Sequence, residues 1–308
     1  PLAFVHSSAQ LPIVYAVIVL HSALATVFEP AKNTLMPDLV GPDHLVSANA
    51  LVGLNQNLGR LVGGPLGGVV LLGGGLGMVA LADAASYLVS AALIATIRSP
   101  DPRRRPPEGS PAGILAALRR PRLRLPYALL ALASIAQGMF LALFVLFVVG
   151  PLHGSVADVG LLRGIQAVGA IGAGLALGLL SRSWGPRLLT TVSVLAFGAI
   201  SLATWNLPAV TTDLWPYVAL FALVGAPGVL LTTGLISALQ NDTAPGERAA
   251  VFTTVGLVAA VGQGAGILLA GLADSPVGLG PLLDVQGALY LAAGGFGLIW
   301  ARRAGRPA

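Results

Sequence analysis

The chain has 308 residues, of which 56% are hydrophobic and only 9% are charged. A soluble domain carries roughly 25% charged residues, so the composition excludes an ordinary soluble domain and indicates a polytopic membrane protein. Cysteine is absent, which excludes disulfides, thiol catalysis and cysteine-bound metals in this chain.

A membrane-spanning helix needs about 20 mostly apolar residues, and nine runs of this kind are predicted along the chain. They lie at about 11–30, 45–73, 76–97, 125–150, 158–180, 188–206, 217–239, 250–273 and 283–300. The runs are continuously apolar and lack the in/out alternation of barrel strands. The predicted fold is therefore an all-α membrane protein, a polytopic helix bundle.

The basic residues that give the net charge of +5 fall almost entirely in alternate connections. By the positive-inside rule, this pattern places segment 98–124 and the C-terminus in the cytoplasm, and predicts a multi-pass protein of the cell membrane. The positive charge therefore sets orientation, with attraction to anionic membrane lipid as a second effect. Nucleic-acid binding is not expected. Two arginines, Arg60 and Arg163, are left inside predicted spans.

Segment 98–124 is the one long polar connection and divides the chain into three predicted units. Residues 1–97 hold three spans, 98–124 form a basic cytoplasmic linker, and 125–308 hold six spans. If the linker joins equal halves, three spans are missing before Pro1, and we expect the gene to extend upstream by about 90–100 residues. A true truncation without activity is the alternative.

A shift of 203 residues aligns the first part of the chain with its last part without gaps, as from Pro42 to Pro245. The same shift superposes Gly59 on Gly262 and Tyr87 on Tyr290. Chance coincidence in a glycine-rich chain is one explanation. The other is a parallel structural repeat, which is typical of secondary transporters.

Four stretches resemble the major facilitator superfamily, in particular its bacterial macrolide and siderophore exporters. They are FEPAKNTLMPDLVGPDHLVSANAL at 28–51, GRLVGGPLGG at 59–68, LADAASYLVSAAL at 81–93 and LRRPRLR at 118–124. The resemblance implies a twelve-helix, two-half transporter of which the fourth to twelfth helices are present. It also implies export of a small amphipathic molecule by alternating access, a proton gradient as energy source, no cofactor and a monomer.

The family's signature motifs are only partly matched. Its cytoplasmic signature resembles GLLSRSWGPR at 178–187, where Gly178, Gly185 and Arg187 fit but Arg182 replaces the expected Asp. The antiporter signature GPxxGG is one residue short in the segment from Gly64 to Gly68. The resemblance implies gating or packing roles for these positions and for Gly59. The full set is Gly59, Gly64, Pro65, Gly68, Gly178, Gly185 and Arg187.

Polar residues inside spans are the candidate substrate contacts, because a charge in lipid is costly. Arg60 either binds an anionic group or holds two helices together, and Gln263 is its partner in the repeat. Arg163 and Gln166 are three residues apart and share one helix face, so substrate contact and structural pairing are both open. Gln137 is the last candidate substrate contact.

Three titratable residues are candidates for proton coupling. Asp83 is a carboxylate whose pKa burial would raise, although a hydrogen bond tying helix ends is the alternative. Glu29 either couples protons or is a solvated residue at the cytoplasmic end of its span. Histidine is the side chain that titrates nearest neutral pH, which makes His21 a candidate, although a lone histidine in a span is more often a helix-contact residue.

Enzyme chemistry finds little support in the sequence. The four histidines are scattered and no HExxH, GxSxG or GxxxxGK[ST] motif is present, so neither a metal site nor ATP hydrolysis is expected. An uptake permease of the same fold, and a non-transporting membrane sensor or enzyme, remain the alternatives to an exporter.

Overall fold

The computed structural model describes residues 11–96, 111–180 and 185–303. Within these ranges the chain is helical and contains no strand, which confirms the predicted all-α fold. The helices are α1 (Leu11–Val40), α2 (Leu45–Ala95), α3 (Pro111–Arg119), α4 (Arg124–Val149), α5 (Val156–Leu180), α6 (Pro186–Asn206), α7 (Leu214–Asp242), α8 (Arg248–Ala270) and α9 (Leu279–Arg303).

Seven segments of the described residues are long and apolar enough to cross a membrane. The predicted spans 11–30 and 45–73 are helical but are not among the seven. The first is the start of α1, which continues past its two internal prolines, Pro30 and Pro37, to Val40. The second is joined to the predicted span 76–97 in α2, where Gly75 interrupts the helical backbone.

The backbone reproduces the repeat found in the sequence. Helices α2 and α8 begin 203 residues apart, and each follows a short 3₁₀ turn. Gly75 and its repeat partner Gly278 both have positive φ, +65° and +74°. Glycine adopts positive φ more readily than any other residue. The agreement in turn type, in helix start and in the sign of the glycine φ angle supports a structural repeat over chance coincidence.

Helices α4 to α9 form the C-terminal bundle, in which glycines allow close backbone contact. A Cβ added at Gly138 of α4 would collide with the carbonyl of Gln263 on α8. In the same way, one at Gly169 of α5 would collide with the carbonyl of Ala222 on α7. Such contacts pack membrane helices tightly where the hydrophobic effect between them is weak.

The two ends of the molecule differ in composition. Helices α4, α6 and α8 begin at one end, where α9 also stops, and Arg120, Arg187 and Arg248 lie nearby. We call this the arginine-rich end. There, Ala117 and Leu123 pack with Trp300 in an apolar cluster that holds α3 against the bundle. Towards the opposite end, a larger buried cluster of aromatic and aliphatic side chains fills the bundle.

Candidate functional site

A small cavity of about 40 Å³ lies inside the C-terminal bundle, between α4, α5, α6 and α7. This volume is well below that of typical small-molecule sites, roughly 300–1,000 Å³. We call it the aromatic pocket. Its lining residues are Gln137, Phe140, Gln166, Phe197, Ser201, Thr204, Trp205, Leu220, Phe221 and Val224.

Polar groups of the aromatic pocket differ in whether they are already hydrogen-bonded. The Trp205 indole N–H donates to Gln286 Oε1 at 2.8 Å, and the Tyr290 hydroxyl donates to Gln137 Oε1 at 3.1 Å. The Gln166 Nε2 atom is buried and has no partner among the described residues. An unpaired buried donor costs about 1–3 kcal/mol, so Gln166 offers a binding position for an acceptor atom.

A cation lies beside the pocket. The Arg163 guanidinium carbon is 5.0 Å from the centroid of the Phe140 ring and 5.3 Å from that of Phe144. Both distances fit a cation–π contact. Arg163 and Gln166 both belong to α5, and Phe140 also lines the pocket. The fold thus brings together Arg163, Gln166 and Gln137, three of the five predicted substrate contacts.

The other two predicted substrate contacts lie elsewhere. The Gln263 side chain is exposed and does not line the aromatic pocket, and its backbone carbonyl packs against Gly138. Arg60 lies within α2, but its side chain is outside the described residues. Their roles stay predictions.

The predicted proton-coupling residues do not lie in the aromatic pocket. Glu29 is exposed and accepts hydrogen bonds from Lys32 Nζ at 2.7 and 2.6 Å, and α1 continues well beyond it. Asp83 is exposed with the whole of the described segment 81–96, so the expected burial is not found among the described residues. The side chain of His21 is outside them. Proton coupling stays a prediction.

Among the residues predicted for gating or packing, Arg187 has the most defined contacts. Its Nη2 donates to Asp242 Oδ2 at 2.7 Å, and its guanidinium lies 5.3 Å from the Trp300 ring centroid. Both partners belong to the C-terminal bundle, which favours packing. Gly185 is the extended N-cap residue of α6. Arg182 lies outside the described residues.

The remaining predicted glycines give little evidence of packing. A Cβ at Gly59 would meet no described atom within 4 Å. The other positions lie in helices, but their side-chain surroundings are outside the described part of the chain: Gly64, Pro65, Gly68 and Gly178. Their roles stay predictions.

A buried hydrogen-bond cluster joins the N-terminal part, α1 and α2, to the C-terminal bundle at the arginine-rich end. Asn49 Nδ2 donates to Ser237 Oγ at 3.0 Å and to Gln240 Oε1 at 2.7 Å. Gln240 Nε2 donates onward to the Asn33 carbonyl at 2.9 Å. We call Asn33, Asn49, Ser237 and Gln240 the inter-half cluster.

Apolar packing at the same end supports the inter-half cluster. Ala50 of α2 is buried against Leu177 and Leu189 of the C-terminal bundle. Helix α5 also contacts α2 at Gly174, where an added Cβ would lie at an ordinary contact distance of 3.6 Å from Leu54 Cβ. The two parts of the molecule therefore meet over a continuous surface at the arginine-rich end.

Two ion pairs flank this surface. Arg248 Nη1 donates to Asp38 Oδ1 at 3.0 Å and connects α8 to α1. Arg120, just after α3, makes a two-pronged hydrogen bond to the Glu247 carboxylate. The hydrogen bond to Glu247 raises the pKa of Arg120, so its positive charge is retained. The Arg120–Glu247 pair therefore fixes α3, the helix within the linker segment, to the start of α8.

Sequence reasoning did not find the inter-half cluster or the aromatic walls of the pocket. Asn49 and Ser237 are 188 positions apart, and Asn33 and Gln240 are 207 apart, so no local spacing links them. The available signal was the presence of amide side chains within apolar runs beside basic connections. The pocket phenylalanines are indistinguishable in sequence from ordinary core residues.

The comparisons with known proteins agree with this fold. Enterobactin exporters EntS of Citrobacter koseri and of Escherichia coli O1:K1 / APEC are each 29% identical over 275 residues. In both cases the match covers 85% of this chain and 61% of the relative, so the chain spans about three-fifths of their length.

A solved structure shares the architecture. A bacterial homologue of the iron transporter ferroportin, in an outward-facing state, superposes with a TM-score of 0.68 at 18% identity. The match covers 98% of this chain and 76% of that one. At this identity the likeness shows the fold alone.

The family model for the Major Facilitator Superfamily matches residues 1–302. This match confirms the resemblance seen in the sequence, and with the exporter-named relatives it favours a transporter family over an enzyme. The chain belongs to the Major Facilitator Superfamily.

Proposed function

We propose that the protein is a secondary transporter that exports a small amphipathic molecule, of the drug or siderophore type, by alternating access. The observation that carries this proposal is the position of the described contacts between α2 and the C-terminal bundle. The buried bonds of Asn49 hold α2 against α7 at the arginine-rich end, as is expected of a contact that closes this end. A carrier that rocks about a central site needs one closed end and one open end.

The orientation of the protein in the membrane supports export. The positive-inside rule places the arginine-rich end in the cytoplasm, so the described conformation would be closed to the cytoplasm. An exporter releases its substrate from this conformation. The relatives at 29% identity are named enterobactin exporters, which agrees with outward transport of a siderophore-type molecule.

Proton coupling is the proposed energy source, with Asp83, Glu29 and His21 as the candidate carriers. Its support is the family and the presence of these titratable groups on α1 and α2. The triple variant Asp83→Asn, Glu29→Gln, His21→Ala should lose efflux that depends on a pH gradient. Undiminished proton-driven efflux by this variant would remove all three residues as carriers.

The direct test of direction uses inside-out and right-side-out membrane vesicles. With a macrolide and an environment-sensitive dye as probes, an imposed proton gradient should drive uptake into inside-out vesicles only. An uncoupler should abolish this uptake. Accumulation only in right-side-out vesicles would support the uptake permease instead, and binding without flux in either preparation would support a sensor.

A further inference from the structure

We infer that exposed arginines at the arginine-rich end bind the headgroup of an anionic phospholipid. The inference names a membrane partner and does not depend on transport. It is drawn from three features of this end: arginines that have no carboxylate partner, their position at the ends of spans, and exposed apolar side chains beside them. The exposed arginines, which we call the headgroup arginines, are Arg119, Arg122, Arg124 and Arg302.

The arginines at this end fall into two groups. Three of them each pair with one carboxylate, and these pairs are Arg120–Glu247, Arg187–Asp242 and Arg248–Asp38. The headgroup arginines have no carboxylate partner among the described residues. The sequence around three of them supplies none, because no Asp or Glu occurs from 109 to 157. Their positive charge therefore suits an anionic partner from outside the chain.

Two of the headgroup arginines lie at the ends of membrane spans. Arg124 is the first residue of the apolar segment Arg124–Val149, and Arg302 is the last residue of Leu279–Arg302. Polar headgroups lie directly outside the hydrocarbon core, which is about 30 Å thick. An arginine at the end of a span therefore lies at the depth of the lipid phosphates, to which its guanidinium donates two parallel hydrogen bonds.

Packing of α3 and the following turn brings the headgroup arginines of two segments together. Leu123 lies in the same buried apolar cluster as Trp300 of α9. In sequence, Leu123 stands between Arg122 and Arg124, and Trp300 precedes Arg302 by two residues. The cluster thus holds the arginines of the linker segment beside the end of α9, where several guanidinium groups are within reach of one headgroup.

Exposed apolar side chains beside these arginines suit the acyl chains of a lipid. Leu298 and Ile299 are 43% and 46% exposed. They precede Arg302 by four and three residues, so they share its face of α9. Leu118, which is also exposed, directly precedes Arg119. A free phosphate ion would leave these apolar side chains uncovered, whereas a phospholipid covers them, so we assign the site to a lipid.

Native mass spectrometry of the purified full chain in detergent tests this assignment. Phosphatidylglycerol is the anionic probe, and phosphatidylcholine is the comparison because it carries a phosphate but no net charge. We expect the unaltered protein to bind phosphatidylglycerol at least about tenfold more tightly than phosphatidylcholine. Excess inorganic phosphate should leave the bound phosphatidylglycerol in place.

Variants connect this preference to the headgroup arginines. Arg122→Gln and Arg302→Gln should each lower it about fivefold, because each arginine near an anionic lipid surface contributes by a similar amount. The double variant should lower it further. Arg187→Gln is the matched control: it removes the same charge at the same end, but from an arginine that is already paired with Asp242. It should keep the preference of the unaltered protein. Thermal unfolding verifies that each variant is folded.

Three results would overturn the inference: equal binding of the two lipids by the unaltered protein, an unchanged preference in the folded double variant, or an equal loss in Arg187→Gln, which would trace the preference to net charge alone. Displacement of phosphatidylglycerol by inorganic phosphate would assign the site to a free anion and reject the lipid. The vesicle assay stays independent, since lipid binding without flux of any probe would reject only the proposed function.

Discussion

Two kinds of helix interface in this molecule differ in their most prominent contacts. Inside the C-terminal bundle, backbone meets backbone at glycines, as where Gly225 of α7 faces the carbonyl of Gln166 on α5. Between the N-terminal part and the bundle, Asn49 and Gln240 instead form side-chain hydrogen bonds, and Arg248 pairs with Asp38.

The difference indicates which interface can open. Helices in backbone contact at glycines cannot slide without collisions, because interiors are close-packed and only discrete arrangements are available. Hydrogen bonds contribute only about 1 kcal/mol each in net terms and can be exchanged for water at an opening end. We therefore expect the C-terminal bundle to move as one body and the arginine-rich end to be where the two parts separate.

The largest effect is expected from breaking the bundle interface. Gly169→Leu places a side chain against the Ala222 carbonyl and should destabilise the protein by about 3 kcal/mol through overpacking. Gly164→Leu, on the same helix, is the matched control because a Cβ there meets nothing within 4 Å. Thermal unfolding followed by size-exclusion chromatography measures both. Equal unfolding temperatures for the two variants would contradict the account of glycine packing.

The next largest effect is expected in the inter-half cluster. Asn49→Leu removes the donor to Ser237 and Gln240 and leaves buried groups unpaired, at a cost of about 1–3 kcal/mol to the closed state. The population open at the arginine-rich end should rise about tenfold or more. Labelling of a cysteine introduced at Ala50, a buried position, reports this opening. The exposed Asn241→Leu is the control and should leave the labelling rate unchanged.

A smaller effect is expected from the ion pair that flanks the cluster. The Asp38 side chain is 47% exposed, so removing the pair with Arg248→Gln should favour opening by only about 0.5 kcal/mol. The same labelling assay measures this change, which high salt should diminish. Arg187→Gln breaks a pair within the C-terminal bundle, so it should not alter labelling. If it does, Arg187 acts in gating rather than packing.

The smallest effect is expected at the linker helix. The Arg120 and Glu247 side chains are 42% and 40% exposed, so Arg120→Gln should cost about 0.5 kcal/mol or less. Local hydrogen exchange in α3 should become up to about twofold faster, with exchange in α4 unchanged. Unchanged exchange in α3 would mean that the apolar contacts of Ala117 and Leu123 hold this helix without the ion pair.

Local features of the fold were predictable from the sequence because they depend on neighbouring residues. Apolar runs predicted helices, and the boundary between the predicted spans 45–73 and 76–97 marked the break that the structure places at Gly75. The end of α1 was predicted about ten residues too early. The helix extends beyond the apolar run to Val40 and ends beside Gly41, which has positive φ. Hydropathy marks where lipid ends, not where a helix ends.

The candidate site was predictable only where a residue was out of place in lipid. Arg163 and Gln166 stood out as polar groups in a span, and the fold brings both to Phe140 or its pocket. Trp205 and Phe221 gave no such signal because aromatic residues are ordinary in apolar helices. Asn49 and Gln240 meet through tertiary packing alone, so their pairing required coordinates.

The central claim, that the two ends open reciprocally, is tested most directly by distance measurement between spin labels. The chain has no cysteine, so pairs introduced at Asp43 and Gly246, and at Gly73 and Pro276, carry the only labels on it. All four positions are exposed, one pair at each end. We predict that Asn49→Leu lengthens the 43–246 distance and shortens the 73–276 distance. Unchanged distances, or changes in the same direction at both ends, would contradict alternating access.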